Sequence, residues 1–171
     1  SLTVAEIDAS GIIVSGVTQQ GTLTYDGTRF TVPVDAGIGR IVSGATLFDP
    51  RLVNGTVGGT LVYAGNELLS DDLSVNFPGL EAQLGLNSNF ATGLTQVTGP
   101  VNLADLPFDG IGTIDAGAQI RFAIGGGAPW SLDTDLQGRV DRITNSTLEN
   151  LAGTNIRFAG GLSLGSGVPV S

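Results

Sequence analysis

The sequence predicts an all-β fold of repeated antiparallel hairpins, and three observations carry that prediction. Apolar residues recur at every second position between turn signals through much of the chain, the period of a strand with one buried face. Glycine supplies 27 of 171 residues while charged residues make up only 13%, which fits a turn-rich sheet and not a charged helical coil. Only Asn145 to Leu151 has helical spacing with a capping residue, Asn145 or Ser146, and Glu149 following.

The strands can be justified in order. Gly21 to Tyr25 and Phe30 to Val34 alternate on either side of an Asp26-Gly27 turn, placing Leu23, Tyr25, Phe30, Val32 and Val34 on one face. Pro33 lacks an N–H, so it marks its strand as an edge or a bulge. The glycines of Gly37-Ile38-Gly39-Arg40 read as a strand irregularity, since no helix follows to make a dinucleotide loop. Thr56 to Tyr63 alternates through Val57, Gly59, Leu61 and Tyr63, turns at Ala64-Gly65-Asn66, and returns through Leu73, Val75 and Phe77. After Pro78-Gly79 comes a strand with Leu80, Ala82, Leu84 and Leu86 on one face and Glu81, Gln83, Gly85 and Asn87 on the other, the pattern of a one-sided sheet. Beyond residue 100 shorter pieces are expected, punctuated by Gly99-Pro100, Pro107 with Asp109-Gly110, and the run from Gly125 to Pro129. Ile111 to Phe122 and Trp130 to Val140 still alternate.

Gly21-Thr-Leu-Thr-Tyr and Gly59-Thr-Leu-Val-Tyr read as two copies of one hairpin unit, and stacked units of that kind bury one continuous apolar face. No low-complexity linker divides the chain, so residues 1–171 are expected to form a single all-β domain. With no Met and no charged leader before an apolar run, the chain is expected to be a fragment of a much longer one.

The chemistry available is narrow. There is no histidine, cysteine or lysine, which removes the Ser-His relay, the thiolate nucleophile, the Cys/His zinc site and the Walker loop. The remaining catalytic candidates are carboxylate pairs: Asp71-Asp72, Asp133-Thr134-Asp135, and Asp105 with Asp109. Asp133 and Asp135 on one strand would share a face at about 6.6–7 Å, yet solvated strands and turns also collect such pairs. Asp-Thr-Asp lacks the glycine and distal glutamate of a calcium loop. Asn145-Ser-Thr matches a glycosylation acceptor. The net charge of −9, with seven dispersed arginines as the only bases, gives nucleic acid no electrostatic footing. The expectation is a non-enzyme without cofactor or metal.

The apolar stripe is the more informative feature. Leu23, Tyr25, Val32, Leu61, Tyr63, Leu73, Val75, Phe77, Leu80, Leu84 and Leu86 are the candidate lipid-binding residues. They would form the core of a closed β-sandwich or β-solenoid, acting as a structural or adhesin module. If the sheet curls without closing, they would instead line a groove for acyl chains. Terminal strands of such a stack leave backbone donors and acceptors open, so edge-to-edge self-pairing is also expected.

The phrases Gly59-Thr-Leu-Val-Tyr-Ala-Gly-Asn-Glu-Leu-Leu-Ser-Asp-Asp-Leu-Ser-Val-Asn-Phe and Gly125-Gly-Gly-Ala-Pro-Trp-Ser-Leu-Asp-Thr-Asp-Leu-Gln-Gly-Arg-Val resemble periplasmic segments of TamB/AsmA-like proteins of Gram-negative bacteria. The lysine-poor, Arg/Gly/Ala-rich usage looks alphaproteobacterial. The resemblance implies a long sheet folded lengthwise into a taco-like groove with an apolar interior, in the periplasmic portion of an inner-membrane-anchored protein. It also implies phospholipid transport between the membranes, or assembly of outer-membrane proteins and autotransporters with a TamA-like barrel. The partners it implies are phospholipid acyl chains or hydrophobic β-strands.

Overall fold

A computed structural model describes residues 1–9, 12–44, 46–126, 128–144, 146–153 and 156–165. The strands are β1 (Leu2–Ala9), β2 (Ile12–Gln20), β3 (Thr24–Tyr25), β4 (Arg29–Val42), β5 (Val53–Ala64), β6 (Glu67–Phe77), β7 (Leu80–Asn89), β8 (Leu94–Phe108), β9 (Gly112–Gly125), β10 (Ala128–Ile143) and β11 (Arg157–Gly165), with one short helix, α1 (Ser146–Ala152). They form one open antiparallel sheet in sequence order, β3 pairing with β4 beside β2. Most strands pair with the next strand in the chain, while β2 skips the short β3 to pair with β4 and β10 reaches β11 across α1. The helix starts at Ser146 with Glu149 in its first turn; Asn145, the other capping candidate and the glycosylation acceptor, lies outside the described residues.

Pro33 is not on an edge strand, and the reason is geometric. β4 is flanked by β5 on one side, while β2 and β3 share its other side. Pairing with β2 ends at Gln20↔Asp35 and pairing with β3 begins at Thr24↔Thr31, so the proline occupies the interval where no ladder bond is needed. There the Gln19 side chain donates to the Pro33 carbonyl at 2.9 Å.

The same device corrects the expectation of short pieces beyond residue 100. β8 and β10, at 15 and 16 residues, are the longest strands. Gly99-Pro100 does not end β8: Pro100 pairs with Gln119 of β9, while the β7–β8 ladder lapses between Ala82↔Val101 and Gly85↔Thr98. A turn signal can thus lie inside a strand when one neighbour withdraws.

The two hairpin copies correspond at their first and last residues, although only the second lies wholly within a strand. Tyr25 and Tyr63 both flank Phe30 in register. Gly21 (φ 149°) and Gly59 (φ 136°) each have positive φ, where a Cβ would come within 2.7 Å of the Pro33 carbonyl and 2.8 Å of the Asp72 carbonyl respectively. Glycine is required at both because the neighbouring backbone occupies the Cβ position.

Asp71-Asp72 forms a β-bulge. The register of β6 slips by one residue between Gly58 and Val62 of β5, and between Ser70 and Leu73 against β7. Asp72 Oδ1 accepts from the Thr60 N–H at 2.8 Å and the Ser70 hydroxyl at 3.1 Å, replacing the ladder bonds that the bulge removes. The Gly37/Gly39 irregularity appears where the β2–β4 pairing lapses and the Gly16 and Gly39 backbones approach each other.

One connection spans several strands. The turn between β4 and β5 carries Arg51, whose guanidinium donates to the Ala104 carbonyl at 2.7 Å and to the Asp105 carbonyl. This strap crosses the β6–β7 turn and fastens to β8 at a second bulge, where Asp105 adopts φ 53°.

Candidate functional site: the apolar sheet face

Cross-strand partners share a face, so the register assigns every side chain. Tyr25↔Phe30↔Tyr63↔Leu68↔Ser88↔Thr95↔Ile124 form one row across seven strands. A second row on the same face runs Phe77↔Leu80↔Leu103↔Ala116↔Gly138↔Phe158. Between these rows lie Val32, Leu61, Leu73, Val75, Leu84 and Leu86. Ten of the eleven predicted residues are therefore on a single face; Leu23 falls between β2 and β3, outside the strands and 57% exposed.

The opposite face is polar. Thr56↔Asn76↔Glu81↔Asn102↔Gly117↔Gln137↔Ala159 cross it in one row. A trough of about 880 Å³ lies over β7 to β11, lined by Glu81, Asn102, Gln137 and Arg139 together with Leu103, Ala116 and Phe158.

Among the described residues the strands form one open sheet, with no second sheet, and no large side chain is fully buried. The accessible surface is 10408 Å², against about 7,800 Å² for a compact monomer of this mass. A closed sandwich, whose core would remove both inner faces from water, is not the architecture. Phe77, Ala82, Leu106, Ile114 and Val140 are buried by neighbours on their own face. Most of the other predicted residues are half-buried.

At the opposite end of the strands the face carries an exposed aromatic series. Tyr25 stacks on Phe30 with ring centroids 4.4 Å apart, Phe30 lies 6.4 Å from Tyr63, and Tyr63 lies 6.0 Å from Phe90. Tyr25 and Phe90 are each 59% exposed. The sequence reading missed Phe90, which follows β7 and has no alternating context. It also missed Leu103, Leu106, Ile114, Val140 and Phe158, although the alternation of Ile111–Phe122 and Trp130–Val140 pointed to several of them.

The carboxylates have structural partners. Asp133 accepts from the Ser163 hydroxyl at 2.7 Å, and Asp135 pairs with Arg121 at 3.2 Å on the exposed polar face. Asp115 pairs with Arg139 at 2.8 Å; the Asp105 N–H first, and then Arg139, hold its carboxyl below the usual range. Asp72 is likewise lowered, chiefly by the Thr60 N–H, and Asp26 by the Thr28 and Arg29 N–H groups of its turn. Hydrogen bonds to the charged form favour that form. Asp109 lies in the β8–β9 turn, away from the bulge that holds Asp105.

Comparison with known proteins finds no matching family model, no matching curated protein and no matching solved structure.

Proposed function

We propose that this chain is a noncatalytic lipid-handling segment whose apolar sheet face takes up phospholipid acyl chains. One observation carries the reading: among the described residues, a largely apolar face from β4 to β11 is left without a covering sheet. Each methylene that an acyl chain transfers from water to that face gains about 0.8 kcal/mol, so a chain lying across several strands is held without any directional contact. The exposed aromatic series offers amphipathic rings, suited to the boundary between acyl chain and headgroup, at one end.

The likeness to TamB/AsmA-like segments supports the same reading. It suggests a periplasmic location in an inner-membrane-anchored protein, and service to phospholipid transport, or to outer-membrane protein assembly beside a TamA-like barrel. Hydrophobic β-strands would use the same face.

The test is photocrosslinking. A benzophenone amino acid placed at Leu84 or, on the other face of the same strand, at Gln83 is irradiated with vesicles of radiolabelled phosphatidylethanolamine. Lipid adducts from Leu84 and not from Gln83 support the proposal. Equal labelling, or none, refutes it.

A further inference from the structure

The two lateral edges of the sheet differ in a way that selects one of them for pairing. On β1, the apolar face continues as Leu2 and Val4 but then carries Glu6 and Asp8, opposite Ser15 and Ile13. Charges turned onto the apolar face of an edge strand oppose the addition of another strand. On β11, the same face carries Phe158, Gly160, Leu162 and Leu164, with no charge, and Leu162 is 38% exposed.

The direction of the backbone groups of β11 follows from one bond. The Val140 N–H donates to the Ile156 carbonyl at 2.9 Å, extending the register that pairs Arg139 with Arg157. In an antiparallel ladder, bonded and non-bonded pairs alternate. Residues 158, 160, 162 and 164 therefore bond β10, while the N–H and C=O groups of Arg157, Ala159, Gly161, Ser163 and Gly165 point outward. Among the described residues no strand pairs with them.

We infer that this edge binds the same edge of a second copy of the chain, antiparallel, about a two-fold axis at Gly161. That register sets Phe158 opposite Leu164, Gly160 opposite Leu162, Ala159 opposite Ser163, and Arg157 opposite Gly165 of the other copy. It brings outward-pointing residues together as bonded pairs and places no like charges directly opposite. The small Gly160 leaves room for Leu162. An axis perpendicular to the sheet keeps both apolar faces on one side, so the pair presents a single apolar surface of double width.

Sedimentation equilibrium on the whole chain tests this. The wild-type protein is expected to pass from 17.3 kDa to twice that mass with concentration. Gly161→Pro removes an N–H that points away from β10, so at a concentration where both proteins are monomeric it should leave the unfolding midpoint unchanged. It should weaken dimerisation at least about tenfold, because a bond is lost on each side of the axis. A wild-type chain that stays monomeric throughout, or a folded Gly161→Pro variant that dimerises as before, overturns the inference. Should Gly161→Pro fail to fold, thiol trapping decides. With an added oxidant, Gly161→Cys should give a disulfide-linked dimer and Ala5→Cys on β1 should not; the reverse result overturns the inference.

Discussion

The Phe77 ring lies over Gly55, its cross-strand neighbour, so closely that a Cβ at residue 55 would overlap Cδ1, Cε1 and Cζ of the ring. Phe77 is only 7% exposed although, among the described residues, the strands form a single sheet. Phe158 covers Gly138 in the same way on β11 and β10. Ring over glycine is how a single-layer sheet buries aromatic surface from within its own face. Phe77→Ala should cost about 3–5 kcal/mol and Gly55→Ala about 1–3 kcal/mol by overpacking. In the Phe77→Ala background the added methyl should cost almost nothing. Urea unfolding of the four proteins measures this coupling, and additive costs would show that the two positions act separately.

Pro33→Ala should change stability by less than about 1 kcal/mol, since the ring nitrogen lies where the neighbouring ladder is interrupted. Ala36→Pro should cost about 3 kcal/mol or more, because residue 36 pairs with Gln19 on one side and Val57 on the other and its N–H has a ladder partner either way. Equal costs in thermal unfolding would contradict this account of the two-strand edge.

Arg51 fastens the strap through two main-chain carbonyls of the β8 bulge. Arg51→Lys offers a compact ammonium in place of a planar fork and should lose about 1–2 kcal/mol. Amide exchange should accelerate around Gly79 and Ala104, whose backbones are bonded to each other at 2.9 Å. Exchange that rises uniformly over the sheet would contradict a local strap.

Asp26, Asp49, Asp72 and Asp115 all have their carboxyl groups lowered from the ordinary value of 3.8, chiefly by hydrogen bonds. A group with a lower pKa folded than unfolded contributes stability above its unfolded pKa and loses it as pH falls through the folded one. Stability should therefore be nearly flat from about pH 5 to 8, where no histidine titrates, and should fall as pH drops below the ordinary carboxylate range. Asp72→Asn should make the acid limb shallower. A midpoint that moves steeply between pH 5 and 8 would contradict this.

How much of this was legible in the sequence follows from what each signal measures. Alternation at Leu80 to Leu86 gave a whole strand and both its faces, because period 2 is a property of the strand alone. The Gly59 phrase likewise gave a strand, a turn and a return. Gly99-Pro100 misled because a proline reports a missing N–H without saying which neighbour it faces. The Asp71-Asp72 bulge was invisible because a bulge depends on the register of two other strands. Ten of the eleven stripe residues share one face, and Leu23 lies in the interval between β2 and β3 where pairing with β4 lapses.

The central claim is that the apolar face is open and takes up lipid, and Leu84→Asp compared with Gln83→Asp tests it most directly. Leu84 is half-buried on the apolar face and Gln83 is exposed on the polar one. Water reaches both new carboxylates if the face is open, so both variants should fold cooperatively. Uptake of phospholipid should fall sharply in Leu84→Asp, through the cost of placing a charge beside acyl chains, and stay at the wild-type level in Gln83→Asp. A folded Leu84→Asp variant that takes up phospholipid as well as the wild type, or one that cannot fold because residue 84 belongs to a closed core, would contradict the account.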